Sequence, residues 1–380
     1  MKATNSEPTL RAPVRRARAE IYLLITLTAF AGSVIATRSF LELTGYPQIG
    51  GSELHIAHAL WGGLLLLVAA LLPLVLANRW AFIASAVCGG LGVGLFIDQI
   101  GKFITQKNDY FFPPAAPVVY AFFLLMVLLF LFVRRRGASN PRAEMYRALA
   151  GLRELLDNNL DTHELEILLA RLEAAQQAEQ PHVAGLATTI STYLQETDIP
   201  LLPARPSLWK QSHAVLEHWG RRIGRRPHRI LILLPMAALS VGMILAVVLP
   251  LLVVAAPETV GQRLLTWLVT QDDIQTTGSR LWFYARILLQ GIVGFCSLVA
   301  IYYFARGREP WGAYAAILAL LISLTGVLLL SFYLDQFSAT ITALLQFGVL
   351  LLVIAYQRWY LGARQASGQR GEYNGSEEST

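Results

Sequence analysis

Eight runs of about twenty residues, apolar almost throughout and nearly free of charge, recur along this chain. They cover approximately 20–43, 54–77, 80–104, 115–133, 229–255, 282–305, 311–333 and 338–357. An α-helix rises about 1.5 Å per residue, so each run is long enough to cross an apolar layer about 30 Å thick. A buried helix of a water-soluble domain would run shorter and show polar residues at nearly every turn. Lipid offers no water to exposed backbone groups, which leaves helices and closed barrels as spanning structures. None of the runs alternates as a membrane β-strand must. The expected fold is all-α, a polytopic membrane bundle of about eight transmembrane helices. Only 15% of residues are charged, against roughly 25% in a soluble domain.

Arg15-Arg16-Ala17-Arg18 before the first run has the look of a signal-peptide start, and its paired arginines suggest a twin-arginine signal. Glu20 interrupts it, the apolar run is long and no small-residue cleavage site follows cleanly, so an uncleaved first helix is expected. Lys and Arg collect on the cytoplasmic side of a membrane. Arg11, Arg15, Arg16 and Arg18 precede helix one, Arg79 sits between helices two and three, and Arg134-Arg135-Arg136 closes helix four. Arg221, Arg222, Arg225, Arg226 and Arg229 precede helix five, Arg306 and Arg308 link six to seven, and Arg358 follows eight. All fall on one side if both termini are cytoplasmic. The opposite loops hold Lys102, Lys107, Arg263, Arg280 and Arg38. The expected home is a bacterial cytoplasmic (inner) membrane. The net charge of +6 is then explained by orientation and by anionic lipids at the cytoplasmic face, with no nucleic acid needed. Cys88 and Cys296 fall inside apolar runs and provide no disulfide framework.

The runs form two quartets. Residues 1–19 are a basic arm, 20–136 and 229–360 the two four-helix membrane units, and 361–380 a Gly/Ser/Glu-rich tail expected to be disordered. Both quartets start and end on the same side, so a repeat would be a parallel 4+4. Gly51-Ser52-Glu53-Leu54 matches Gly278-Ser279-Arg280-Leu281, Trp80 matches Trp311, and Asp98-Gln99 matches Asp335-Gln336. Between the quartets, 137–206 reads as an inserted cytoplasmic helical hairpin with a third short helix near 183–195. Asn140-Pro141 is a cap with proline at the first helical position. Met145, Leu149, Leu152 and Leu156 share one face, and Asp161-x-x-Glu164 has capping-box spacing before Leu165, Leu168, Leu169 and Leu172. Residues 207–228 combine Trp209 and Trp219 with Lys210, Arg221, Arg222, Arg225 and Arg226. That pattern suits a basic amphipathic helix on the inner leaflet, or a connector packed on the hairpin. Residues 141–226 are also the natural place for a protein partner.

Candidate chemistry gathers at the extracytoplasmic rim. Glu53, His55 and His58 open helix two, the histidines about 60° apart on one helical face. Asp98 and Lys102 close helix three at the same level, with Asp109 just beyond. Gly90-x-x-x-Gly94 and Gly62 would let helices two and three approach closely. Three readings follow. His55, His58, Asp98 and Glu53 supply the nitrogen and oxygen donors of a divalent metal such as zinc or iron. Alternatively, the histidines titrate against Asp98. In the third, they are interfacial side chains, with Asp98 and Lys102 an ordinary i, i+4 pair.

No nucleophile elbow, phosphate loop, Cys-x-x-Cys or haem motif is present. The helix centres are nearly free of ionisable groups, which argues against a charged-substrate carrier. An outer-face site therefore suggests a membrane-embedded enzyme acting on a lipid or amphiphile. In that case Asp98 would be ligand or base, and Lys102 would stabilise developing negative charge. A transporter or channel for a neutral or small solute is the second class. A scaffold or sensor coupled to the cytoplasmic helices is the third.

Overall fold

The computed structural model describes residues 13–45, 58–106, 112, 114–135, 140–203, 224–255, 277–334 and 339–361. Glu53, His55, Asp109, Trp209, Lys210, Trp219, Arg221, Arg222, the Asp335-Gln336 pair and residues 362–380 lie outside them. The described residues form helices and no strand: α1 (Ala19–Thr44), α2 (His58–Val75), α3 (Arg79–Ile97), α4 (Ile100–Ile104), α5 (Ala115–Arg134), α6 (Pro141–Leu156), α7 (Thr162–Gln176) and α8 (Pro181–Glu196). After them come α9 (Arg225–Ala255), α10 (Thr277–Ala305), α11 (Glu309–Ile322), α12 (Leu328–Leu334) and α13 (Ala339–Tyr356). A π-helical turn, Ser323–Val327, joins α11 to α12, and another, Gln357–Leu361, ends α13. Among the described residues, eight helices are long and apolar enough to cross a membrane: α1, α2, α3, α5, α9, α10, the α11–α12 rod and α13 with its final turn. Their outward faces are what lipid requires. On α2, Leu64, Leu67 and Leu71 are each about half exposed, an apolar stripe that water would penalise and acyl chains would not.

The helices group into two units. One is Met1–Ile100 with Phe123–Gln211, the other Gly101–Phe122 with Ser212–Thr380. In the first, α3 packs on both α1 and α2 because its glycines face two ways. A β-carbon on Gly90 would lie 2.3 Å from the Thr26 carbonyl oxygen of α1, and one on Gly94 would lie 2.7 Å from Ser33 Cβ. Gly92 is turned about 200° from Gly90, and there it meets Gly62 of α2, each β-carbon 2.8 Å from the other's carbonyl oxygen. The Gly90–Gly94 pair thus serves α1 rather than α2. Pro73 has no N–H to donate to Ala69, four residues back in α2. The Ser85 hydroxyl of α3 donates to that carbonyl instead, at 2.6 Å.

Three helices, α6, α7 and α8, share a core of Met145, Ala148, Leu168, Leu172, Ala175, Ala187 and Leu194. Asn140 and Asp161 cap α6 and α7, their side-chain oxygens accepting from Arg142 N and Glu164 N. On α6 the buried stripe runs through Met145, Ala148, Leu152 and Leu155. Leu149 and Leu156, expected on that face, are 42% and 82% exposed; small Ala148 lets α7 come close and swings the contact by one position.

In the second unit α10 packs against both α9 and α11. The π turn widens the helix at Leu324, and the buried Tyr120 hydroxyl donates to the Leu324 carbonyl at 2.6 Å. The Tyr120 ring stacks on Phe332 with centroids 4.5 Å apart.

Candidate functional site: a buried ion cluster at the α1–α2–α3 end

The expected third run, 80–104, is not one helix. It stops at Ile97, and Asp98 and Gln99 form a turn before α4. That turn points a carboxylate and an amide inward, the Asp98 side chain 0% exposed and Gln99 2% exposed. A buried carboxylate has to be compensated by charge and hydrogen bonds. Arg38, near the end of α1, does so twice: Nε donates to Asp98 Oδ1 at 2.5 Å, and a terminal nitrogen donates to the Asp98 carbonyl at 3.2 Å. From the first residue of α2, His58 Nε2 lies 3.1 Å from Asp98 Oδ2. His58 Nδ1 lies 3.1 Å from Gln99 Nε2.

One proton arrangement satisfies all of these contacts. With Nε2 of the Gln99 amide as donor, His58 Nδ1 accepts, and His58 Nε2 is left to donate to Asp98. A second proton would turn Nδ1 into a donor facing a donor. The Gln99 amide would then have to rotate and present its oxygen.

Of the residues expected to form the site, His58 and Asp98 are brought together. Lys102 stands on α4, one turn past Asp98, and Glu53 and His55 lie outside the described residues. Among the described residues no group of three or more His, Cys, Asp or Glu side chains is placed to hold a metal ion. Arg38 and Gln99 were not expected in the site. An arginine among the few cations of the poorly charged side of the chain was the available signal for Arg38.

The chain matches no protein-family model, no curated protein and no solved structure.

A second ion cluster lies in the other unit, where α9 and α11 begin and α13 ends. Glu309 pairs with Arg225 and accepts from the Tyr356 hydroxyl at 2.8 Å, while Arg229 donates to the Phe304 carbonyl at 2.7 Å. Arg225 therefore has internal partners, whereas Arg226 is exposed. His228, buried beside them, reaches the Leu352 carbonyl with Nε2 at 3.1 Å and is enclosed by the rings of Tyr356, Trp359 and Tyr360.

A third set of contacts joins α1 and α3 to α7 at their other ends. Glu164 Oε1 accepts from Arg18, the residue before α1, at 2.6 Å and from Arg79, the first residue of α3, at 3.0 Å. The same two helices are thus held by ion pairs at both ends.

Proposed function

We propose that this is an inner-membrane protein in which the Asp98 cluster, at the extracytoplasmic rim, binds a proton and passes the change to cytoplasmic helices α6–α8. The observation that carries this reading is the double clamp on α1 and α3. Arg38–Asp98 ties them at one end, and Arg18–Glu164–Arg79 ties both to α7 at the other. The route runs through helices one and three, not through the fourth and fifth spans that flank the inserted domain.

Histidine is the side chain whose ordinary titration falls near neutrality. Among the described residues the ring contacts of His58 include Asp98 and Gln99 from the turn, and Asp98 is shared with Arg38 of α1. Two engaged ring nitrogens favour proton chemistry over metal ligation, because a metal would have to displace Asp98 or Gln99 from His58. A protonated ring strengthens the pull on Asp98 and breaks the Gln99 contact, which alters how tightly α2 and α3 close on α1. A switch of this kind needs a bistable element that both sites bias. The Gln99 amide, which would rotate to present its oxygen when His58 gains a second proton, fills that role in this reading.

The test is hydrogen–deuterium exchange of the full chain in nanodiscs at about pH 5.5 and about pH 7.5, on either side of the ordinary histidine value. Amides of 162–176 should differ in protection between the two conditions. The difference should vanish in His58→Gln, which keeps hydrogen bonding and cannot titrate. An identical pH response in His58→Gln would overturn the proposal.

A further inference from the structure

Where α1 and α3 meet the helical domain, the first unit encloses a cavity of about 360 Å³, within the size range of small-molecule sites. Seven arginines line it, against two glutamates, Glu154 and Glu164. Glu164 is shared by Arg18 and Arg79, and Glu144, behind the wall, pairs with Arg147 and lies 3.9 Å from Arg171. The other three guanidinium groups meet no carboxylate among the described residues. Arg15 donates to the carbonyls of Val133 and Arg135 at 3.2 and 2.9 Å. Arg153 donates to the Ala77 carbonyl at 3.2 Å. Arg16 lies over the Phe82 ring, 3.8 Å from its centroid. Arg18 is held in the left-handed backbone region, at φ 62° and ψ 20°, which non-glycine residues adopt at a cost. Arg79 also lies 3.9 Å from Glu154, and among the described residues the arginines of this lining outnumber the carboxylates that meet them.

A second, more open depression of about 500 Å³ shares Arg16, Tyr22 and Phe82 with the first. It is of opposite character. Small and apolar residues line it, including Thr26 of α1, Ala69, Ala70 and Pro73 of α2, and Ala86 and Gly89 of α3. Apart from Arg16 it holds no charged residue among the described residues.

We propose that the two together bind a phosphorylated amphiphile, its phosphate among the arginines and its hydrocarbon chain along the groove between α1, α2 and α3. Guanidinium forks match phosphate oxygens two at a time, which makes arginine the usual side chain for such a headgroup. The groove selects a lipid over a free phosphate ester, since a soluble ligand would leave the apolar channel unused. The site lies at the end of α1 remote from Asp98, and the proposal rests on the cavity lining rather than on the proton reading, although Arg18, Arg79 and Glu164 belong to both.

The test uses the purified full chain in detergent with three probes: dioleoyl phosphatidic acid, glycerol phosphate and dioleoylglycerol. The first carries both chemistries and the others one each. Phosphatidic acid should bind saturably and about ten-fold or more tighter than either half, a difference of about 1.4 kcal/mol. Arg16→Gln should weaken it about ten-fold, and Arg15→Gln is a second variant with the same expected sign. Ala70→Phe, which fills the groove from an exposed position, should weaken phosphatidic acid and leave glycerol phosphate unchanged. Melting temperature and elution volume identify the variants that keep their fold. Glycerol phosphate binding as tightly as the lipid would overturn the proposal in favour of a soluble phosphate ester. Equal binding of dioleoylglycerol, or indifference to all three folded variants, would overturn it outright.

Discussion

A β-carbon at position 90 has nowhere to go. The nearest atom is the Thr26 carbonyl oxygen at 2.3 Å, with Ala29 Cβ at 2.7 Å and Phe30 N at 3.0 Å, so backbone must move for any side chain to fit. Gly32, on the partner helix α1, has nothing within 4 Å of the same construction. Gly90→Ala should therefore destabilise the chain by about 1–3 kcal/mol through overpacking. Gly32→Ala should be neutral or stabilise by about 0.5–1 kcal/mol through its better helix propensity. Thermal melting in one detergent compares the two, and equal shifts would contradict the packing argument. The spacing of Gly90 and Gly94 announced a close helix contact, because small residues one turn apart make a smooth face. It did not say which helix would use that face. The same limit applies at Asp98: its partner His58 shares its membrane level in the sequence pattern, but Arg38 comes from a helix whose register against α3 is set by those glycine contacts. Gln99 was legible only as the neighbour of a carboxylate.

At the scale of elements, the start of α7 shows where local rules stop. Asp161-x-x-Glu164 was readable as a cap, and Asp161 does accept from Glu164 N at 2.7 Å. A full capping box would also send the Glu164 side chain back to the Asp161 N–H; here it goes to Arg18 and Arg79. Local spacing dictates the helix start, whereas the carboxylate answers to two cations more than eighty residues away in sequence. Glu154, on the facing helix α6, is less well compensated. Burial, reinforced by Glu164 and Asp157, pushes its carboxyl above the ordinary value of 4.5 and outweighs the opposing hydrogen bond from Asn159 and the charge of Arg18. The folded chain then holds this proton more tightly than the unfolded chain does. The resulting stability is fully present below the unfolded value and is lost as pH rises through the folded one. Glu154→Gln mimics the protonated acid, so it should melt above the parent at about pH 8 and converge with it at about pH 4. A gap that is constant across that range would show that burial of charge is not its source.

For the molecule as a whole, the apolar runs needed no tertiary knowledge to be recognised, because lipid imposes the length of a span and forbids unpaired backbone inside it. Packing groups the residues of α5 in two ways, Ala115–Phe122 with one unit and Phe123–Arg134 with the other. That division follows side chains such as Tyr120 and Phe123, whose partners, Leu324 and Phe30, are chosen by packing rather than by hydropathy. Orientation rests on charge alone. The arginines around the 360 Å³ cavity include those from which a cytoplasmic side is expected, so one labelling experiment tests the orientation that the proton proposal assumes. With Cys88 and Cys296 replaced, Asp109→Cys should react with a membrane-impermeant maleimide in intact cells. Thr188→Cys, on the exposed face of α8, should react only after the membrane is opened. The reverse pattern would put the arginine cavity outside and the Asp98 cluster inside. It would remove the basis for reading an external proton at His58, while leaving the predicted preference for phosphatidic acid intact, because a lipid site can be filled from either leaflet.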